Sequence, residues 1–142
     1  KKTHGDVARV SKLPFVNSHS NAKAVHSVSR NLDDETYEII KKGGGVVGAI
    51  FGSSMVGGKK SLDTLADHIM YVYDKYGSDI LAIGTDYFGI IDYGTTRGLE
   101  NITKVSGLFD LLLKRGMGRG DLEKLAYKNS LRVITKNAER WV

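Results

Sequence analysis

Cysteine is absent from the 142 residues, which excludes a disulfide framework and any thiolate metal site. A metal in this chain has to be held by histidine and carboxylates, and the lack of thiols fits a cytoplasmic protein. Proline occurs once, at Pro14, where it forces an extended entry into Phe15-Val16-Asn17-Ser18. Long hydrophobic runs are missing as well. The longest, residues 45–51 and 80–83, are strand-length and far short of a bilayer span, and the N-terminus has no apolar signal-peptide core. The expectation is a soluble chain with no membrane insertion. The net charge is +5, but lysine and arginine are scattered rather than gathered into a stripe with interleaved aromatics. A solvated basic surface is expected, not a nucleic-acid interface.

What is present is ordinary for one domain: 41% of the residues are hydrophobic, enough for a sizeable core. Residues 3–11 have helix-compatible spacing at Val7 and Val10, followed by the Pro14 strand. The acidic pair Asp33-Asp34 opens a second helix with Tyr37, Ile40 and Lys41, stopped by Gly43-Gly44-Gly45. A strand over 46–51 comes next. Ser61 caps a helix in which Leu62, Leu65, Ile69, Tyr73 and Tyr76 recur at helical spacing until Gly77. A short apolar strand follows at 80–84, then a polar loop over 86–98. Two helices over 104–115 and 121–137, separated by a glycine-rich stretch, close the chain. Continuous apolar strands alternating with helices predict an α/β fold with parallel strands buried on both faces. Three strands close no barrel, since the eight-stranded parallel barrel takes about 250 residues, so the missing strands are expected from elsewhere. The chain begins at Lys1 without a methionine, as a partial or trimmed chain does.

Parallel α/β folds place their sites at the carboxyl ends of strands. Two such ends carry reactive groups here: Ser18-His19-Ser20-Asn21 and Gly84-Thr85-Asp86. An imidazole and a carboxylate at one end of a sheet can share a divalent metal or water bound to it. The plain alternatives are a hydrogen-bonded histidine near the core and an aspartate capping its loop.

The run Pro14 to Ala24 containing Ser18-His19-Ser20-Asn21, then Ser29-Arg30-Asn31-Leu32-Asp33-Asp34-Glu35, resembles the membrane (renal) dipeptidases, zinc peptidases of the amidohydrolase superfamily. Matches continue in order through Ala66-Asp67-His68-Ile69, Gly84-Thr85-Asp86-Tyr87, Gly98-Leu99-Glu100-Asn101 and Asn129-Ser130-Leu131-Arg132-Val133. The resemblance implies that residues 1–142 are the C-terminal part of a dipeptidase-like TIM (β/α)8 barrel, about strands 6 to 8, incomplete on its own. It implies a site with two zinc ions and hydrolysis of dipeptides. Carried over, His19 is a zinc ligand, Asp86 handles the proton and contacts the substrate amine, and Arg30 holds the substrate carboxylate. For Arg30 the residues alone favour a surface ion pair with Asp33 or Asp34.

The implied partners are a dipeptide substrate and the missing N-terminal barrel portion or a partner chain, with a homo-oligomer as one form of such a pairing. The family's other metal ligands have no counterpart in this chain. His4 is expected on a helix surface, His26 in a solvated loop, and His68 in a helix without a metal role. One histidine and one carboxylate predict weak zinc binding by the isolated chain. Tyr87-Phe88 stands where the family has an aromatic residue and a second aspartate, and Phe51-Gly52-Ser53-Ser54 stands where many relatives carry an aromatic site residue. A second expectation, from the missing ligands, is a catalytically inactive half-barrel serving as a structural or interaction module. Gly57-Gly58-Lys59-Lys60 lacks phosphate-loop spacing and is expected as a mobile loop near the site.

Overall fold

The computed structural model describes residues 2–90 and 94–140. The order is α1 (Lys2–Val10), β1 (Val16–Asn17), α2 (Asp34–Lys42), β2 (Val46–Ala49), α3 (Ser53–Val56), α4 (Leu62–Tyr76), β3 (Leu81–Ile83), α5 (Val105–Lys114), α6 (Arg119–Glu123) and α7 (Asn129–Ala138). The three strands form one parallel sheet in chain order, with Val16 opposite Val46, Val47 opposite Leu81 and Ala49 opposite Ile83.

Local chemistry sets the long helices. The Asp33 carboxylate accepts from the Thr36 amide at the start of α2, and Asp34 and Glu35 fill its first turn. Ser61 caps α4 in the same way through Thr64, and Gly77, at φ +84°, ends it. Along α4, Leu65, Ala66, Ile69, Val72 and Tyr76 form the buried stripe. Tyr76 stacks on Tyr37 of α2 with ring centroids 5.3 Å apart.

All four β2 residues are buried, as a central parallel strand requires. One sheet face, through Val47, Ala49 and Leu81, joins the main core with Tyr37, Ile40, Leu65 and Ile69. The other is lined by small side chains: Val46 and Ala82 pack on Val133 of α7. Further along that face stand Gly48 and Gly84, where a methyl group at either position would overlap the Ser18 carbonyl oxygen. The backbone leaving β1 therefore crosses the sheet at two positions only glycine allows.

Helix α7 lies beneath the amino ends of all three strands. Asn137 donates to the Pro14 carbonyl at 2.9 Å, ahead of β1, and Arg132 to Gly44 at 2.6 Å, ahead of β2. Asn129 donates to Ser78 and Leu81, both at 2.8 Å, and Arg132 also to Asp79 at 2.9 Å, around the start of β3. Carbonyls that would otherwise be stranded beneath the sheet thus find donors on one helix.

Several expectations change in detail. The strands are shorter than the apolar runs, and Ile80 belongs to a 3₁₀ turn over Ser78–Ile80. The helix expected over 121–137 is α6 and α7 joined through a π-helical stretch, Lys124–Lys128. The single turn α3, Ser53–Val56, stands between the expected strand and the Ser61-capped helix, where the sequence predicts no element. Residues 91–93 of the 86–98 loop lie outside the described residues. No described helix is long and apolar enough to cross a membrane.

Candidate active site

Each strand runs at its carboxyl end into a loop that is held by backbone and buried side chains. After β1, the Ser20 amide donates to Gly48 at 2.8 Å. The chain then loops out and returns, with Lys23 donating to the Leu32 carbonyl and Leu32 to the Asn21 carbonyl. Two buried asparagines brace this loop. Asn21 donates to the Ile50 carbonyl at 3.0 Å, and Asn31 to His26 at 2.9 Å and Met55 at 2.8 Å. The loop after β1 is thereby tied to the α3 turn after β2.

His19 sits on this braced loop. Its Nδ1 lies 2.7 Å from the Ser18 hydroxyl and its Nε2 lies 2.9 Å from a guanidinium nitrogen of Arg30. A guanidinium only donates, so Nε2 is the acceptor and Nδ1 carries the proton, directed at Ser18. The same Nε2 lies 4.0 Å from Oδ2 of Asp86. The expected ion pair of Arg30 with Asp33 or Asp34 is replaced by this contact: Asp33 caps α2 and Asp34 pairs with Lys75 at 2.6 Å.

Asp86 follows β3 in a left-handed backbone conformation, φ +57°, which costs a non-glycine residue about 1 kcal/mol or more and concentrates at functional sites. Its carbonyl accepts from the Gly89 and Ile90 amides. Its carboxylate lies over Gly89, where a methyl group would strike it. Arg30, Asp86 and Gly89 line a cleft of about 340 Å³ together with Val28, Met55 and Ile90. Larger grooves exist near α7, but at the opposite ends of the strands. In one of these Lys124 pairs with Asp79 and Asp121 and Lys128 with Glu123.

The sheet thus brings His19, Arg30 and Asp86, expected together from the sequence, to one end of the strands: Arg30 and Asp86 line the cleft, and His19 lies against both beside it. The remaining histidines lie apart. His4 is half-buried rather than on the surface, because its Nε2 is 3.0 Å from the Asn17 amide nitrogen and ties α1 to β1. His26 is partly buried rather than solvated, its ring lying where a Gly57 side chain would stand. His68 is buried; its Nδ1 accepts from the Ala22 amide at 3.2 Å and its Nε2 donates to the Val56 carbonyl at 2.9 Å. Burial pushes its pKa below the ordinary histidine value and keeps it neutral. It staples both the loop after β1 and α3 to α4. Sequence reasoning gave Ser18, Asn21, Asn31 and His68 no role; a lone polar residue in an apolar stripe was the only available signal, at His68.

The donor set suits one metal ligand and no more. His19 has one imidazole lone pair, at Nε2, which here accepts from Arg30, and no group of three or more histidine, aspartate or glutamate side chains able to hold an ion occurs among the described residues.

Parallel strands with an imidazole, a guanidinium and a carboxylate gathered at their carboxyl ends define an α/β protein with its polar cluster where such folds place their sites. The sequence profile of the membrane dipeptidases, peptidase family M19, matches residues 1–141, and the chain belongs to that family. It is 29% identical to the dipeptidase ataJ of Aspergillus terreus over 93% of this chain and 33% of the relative. It is 32% identical to the dipeptidase verJ of Clonostachys rogersoniana over 93% of this chain and 34% of the relative. The fold superposes with TM-score 0.86 and 27% identity on a metallo peptidase of Rhodobacter sphaeroides solved with a phosphinate mimic of the dipeptide L-Ala-D-Ala, covering 96% of this chain and 40% of that one. The chain spans about a third of the length of these two curated relatives.

Proposed function

We propose that the protein carrying this chain is a zinc-dependent dipeptidase of the amidohydrolase superfamily. In this reading the three strand-helix units are about strands 6 to 8 of a (β/α)8 barrel, with residues 1–142 its C-terminal part. The observation that carries the reading is the convergence of Arg30 and Asp86 on His19 Nε2 at one end of the sheet. The match to a family of metallo-dipeptidases supports the reaction type.

Arg30, exposed and in contact with His19, turns to grip the substrate carboxylate through its two-pronged donor face. Asp86 receives the free amino group and moves the proton between water and the leaving amine. His19, oriented by Ser18, offers Nε2 as one metal ligand, and the remaining ligands come from chain beyond these residues. When bound, zinc supplies Lewis acidity that polarises the peptide carbonyl and makes water more acidic.

The test is hydrolysis of a dipeptide panel by the complete polypeptide, before and after chelation. The expected outcome is activity abolished by chelator and restored by zinc. A zinc-loaded, folded protein that cleaves no dipeptide overturns the proposal in favour of the inactive interaction module.

A further inference from the structure

Among the described residues, the cleft combines two charged groups with an apolar wall. Arg30 and Asp86 are its ionisable members, and the side chains of Val28, Met55 and Ile90 supply apolar surface between the three site loops. The hydroxyl of Ser54, which also lines it, is turned onto the Met55 sulfur at 3.0 Å. Met55 is itself confined, its terminal methyl 2.5 Å from where a Gly52 side chain would begin. The cleft, about 340 Å³, lies at the small end of ligand pockets, which run from about 300 to 1,000 Å³.

We infer that Val28 and Met55 receive the side chain of the substrate's C-terminal residue and select an aliphatic one; the inference rests on the dipeptidase reading above. The carboxylate and the side chain of a C-terminal residue branch from the same carbon, so their binding groups must lie close together. Val28 stands two residues before Arg30 on the same loop, and both line the cleft. A charged side chain placed against Val28 and Met55 would lose water against apolar atoms, while Arg30 and Asp86 are taken by the substrate's own carboxylate and amine. Methionine, flexible and polarisable, accommodates unbranched and branched aliphatic groups alike.

The experiment compares kcat/KM of the complete polypeptide for Ala-Leu, Ala-Met, Ala-Asp and Ala-Lys, and for the reversed Leu-Ala and Lys-Ala, in wild type, Val28→Glu and Met55→Ala. Wild type is expected to favour Ala-Leu and Ala-Met over the charged pair by roughly 10-fold or more, the scale on which hydrophobic pockets discriminate. Val28→Glu, in a partly exposed loop, should raise the Ala-Lys to Ala-Leu ratio by about 10-fold and leave the Lys-Ala to Leu-Ala ratio unchanged. Met55→Ala should weaken Ala-Leu chiefly through KM. Hydrolysis with the same selectivity in both variants, or a shift confined to the reversed dipeptides, overturns the inference while leaving the dipeptidase reading intact. Absence of all dipeptide hydrolysis in wild type removes both.

Discussion

Arg30 has two acidic neighbours in sequence, and a surface ion pair was the economical expectation from residues alone. Its guanidinium instead contacts His19, because Asp33 is committed to the α2 amide ends and Asp34 to Lys75, Tyr71 and Tyr76. A lysine in its place keeps the charge but loses the planar fork that binds a carboxylate in two places. Arg30→Lys is therefore expected to raise KM for a dipeptide by about 10-fold or more, the scale of 1.4 kcal/mol, with a smaller change in kcat. Steady-state kinetics separate the two, and an unchanged KM would place Arg30 outside the substrate site. At this scale His19 and Asp86 stood out through both strand ends and the family motif, and Arg30 through the motif alone; the structure brings the three together. The braces Asn21, Asn31 and His68 were not, since each is defined by a carbonyl or amide brought near by the fold.

Among elements, the capped helices α2 and α4 were visible in the sequence because their signals are local: Asp33, Ser61 and Gly77 act within a few residues. The α3 turn and the π-helical stretch ahead of α7 were not visible, because contacts distant in sequence accompany them. The Ser53 amide donates to Gly94, and Asn129, just past the π stretch, reaches the Ser78 and Leu81 carbonyls. Removing that buried amide should cost stability without touching the cleft. Asn129→Ala is expected to lower the unfolding free energy by about 1–3 kcal/mol, the cost of stranding buried carbonyls, as read from urea melts. A loss well under this range would mean water or a shifted backbone takes over the two acceptors.

For the whole molecule, the parallel direction of the strands followed from continuous apolar runs separated by helices, whereas the packing of α7 beneath the sheet did not, since nothing in its own apolar pattern names the carbonyls it meets. Acid should loosen this assembly in two stages. His68 has its pKa depressed by burial, so its neutral form contributes fully above the ordinary value of 6.5 and its contribution is lost as the pH falls below that. Asp34, held down to about 2 by Lys75 first and the hydroxyls of Tyr71 and Tyr76, contributes above its ordinary value of 3.8 and loses its contribution as the pH falls through about 2. Urea midpoints are expected to drop between pH 7.5 and 5 and again below pH 4; a flat profile across the first interval would contradict the buried neutral His68. The placement of α7 also bears on the order of events during synthesis. Asn137 closes a contact with Pro14 across 123 residues, so the strand entrances gain their donors only once the distal helix has left the ribosome. Until then the three strands lack their underside, and a pause in translation before residue 129 would hold the nascent chain in a state open to chaperones.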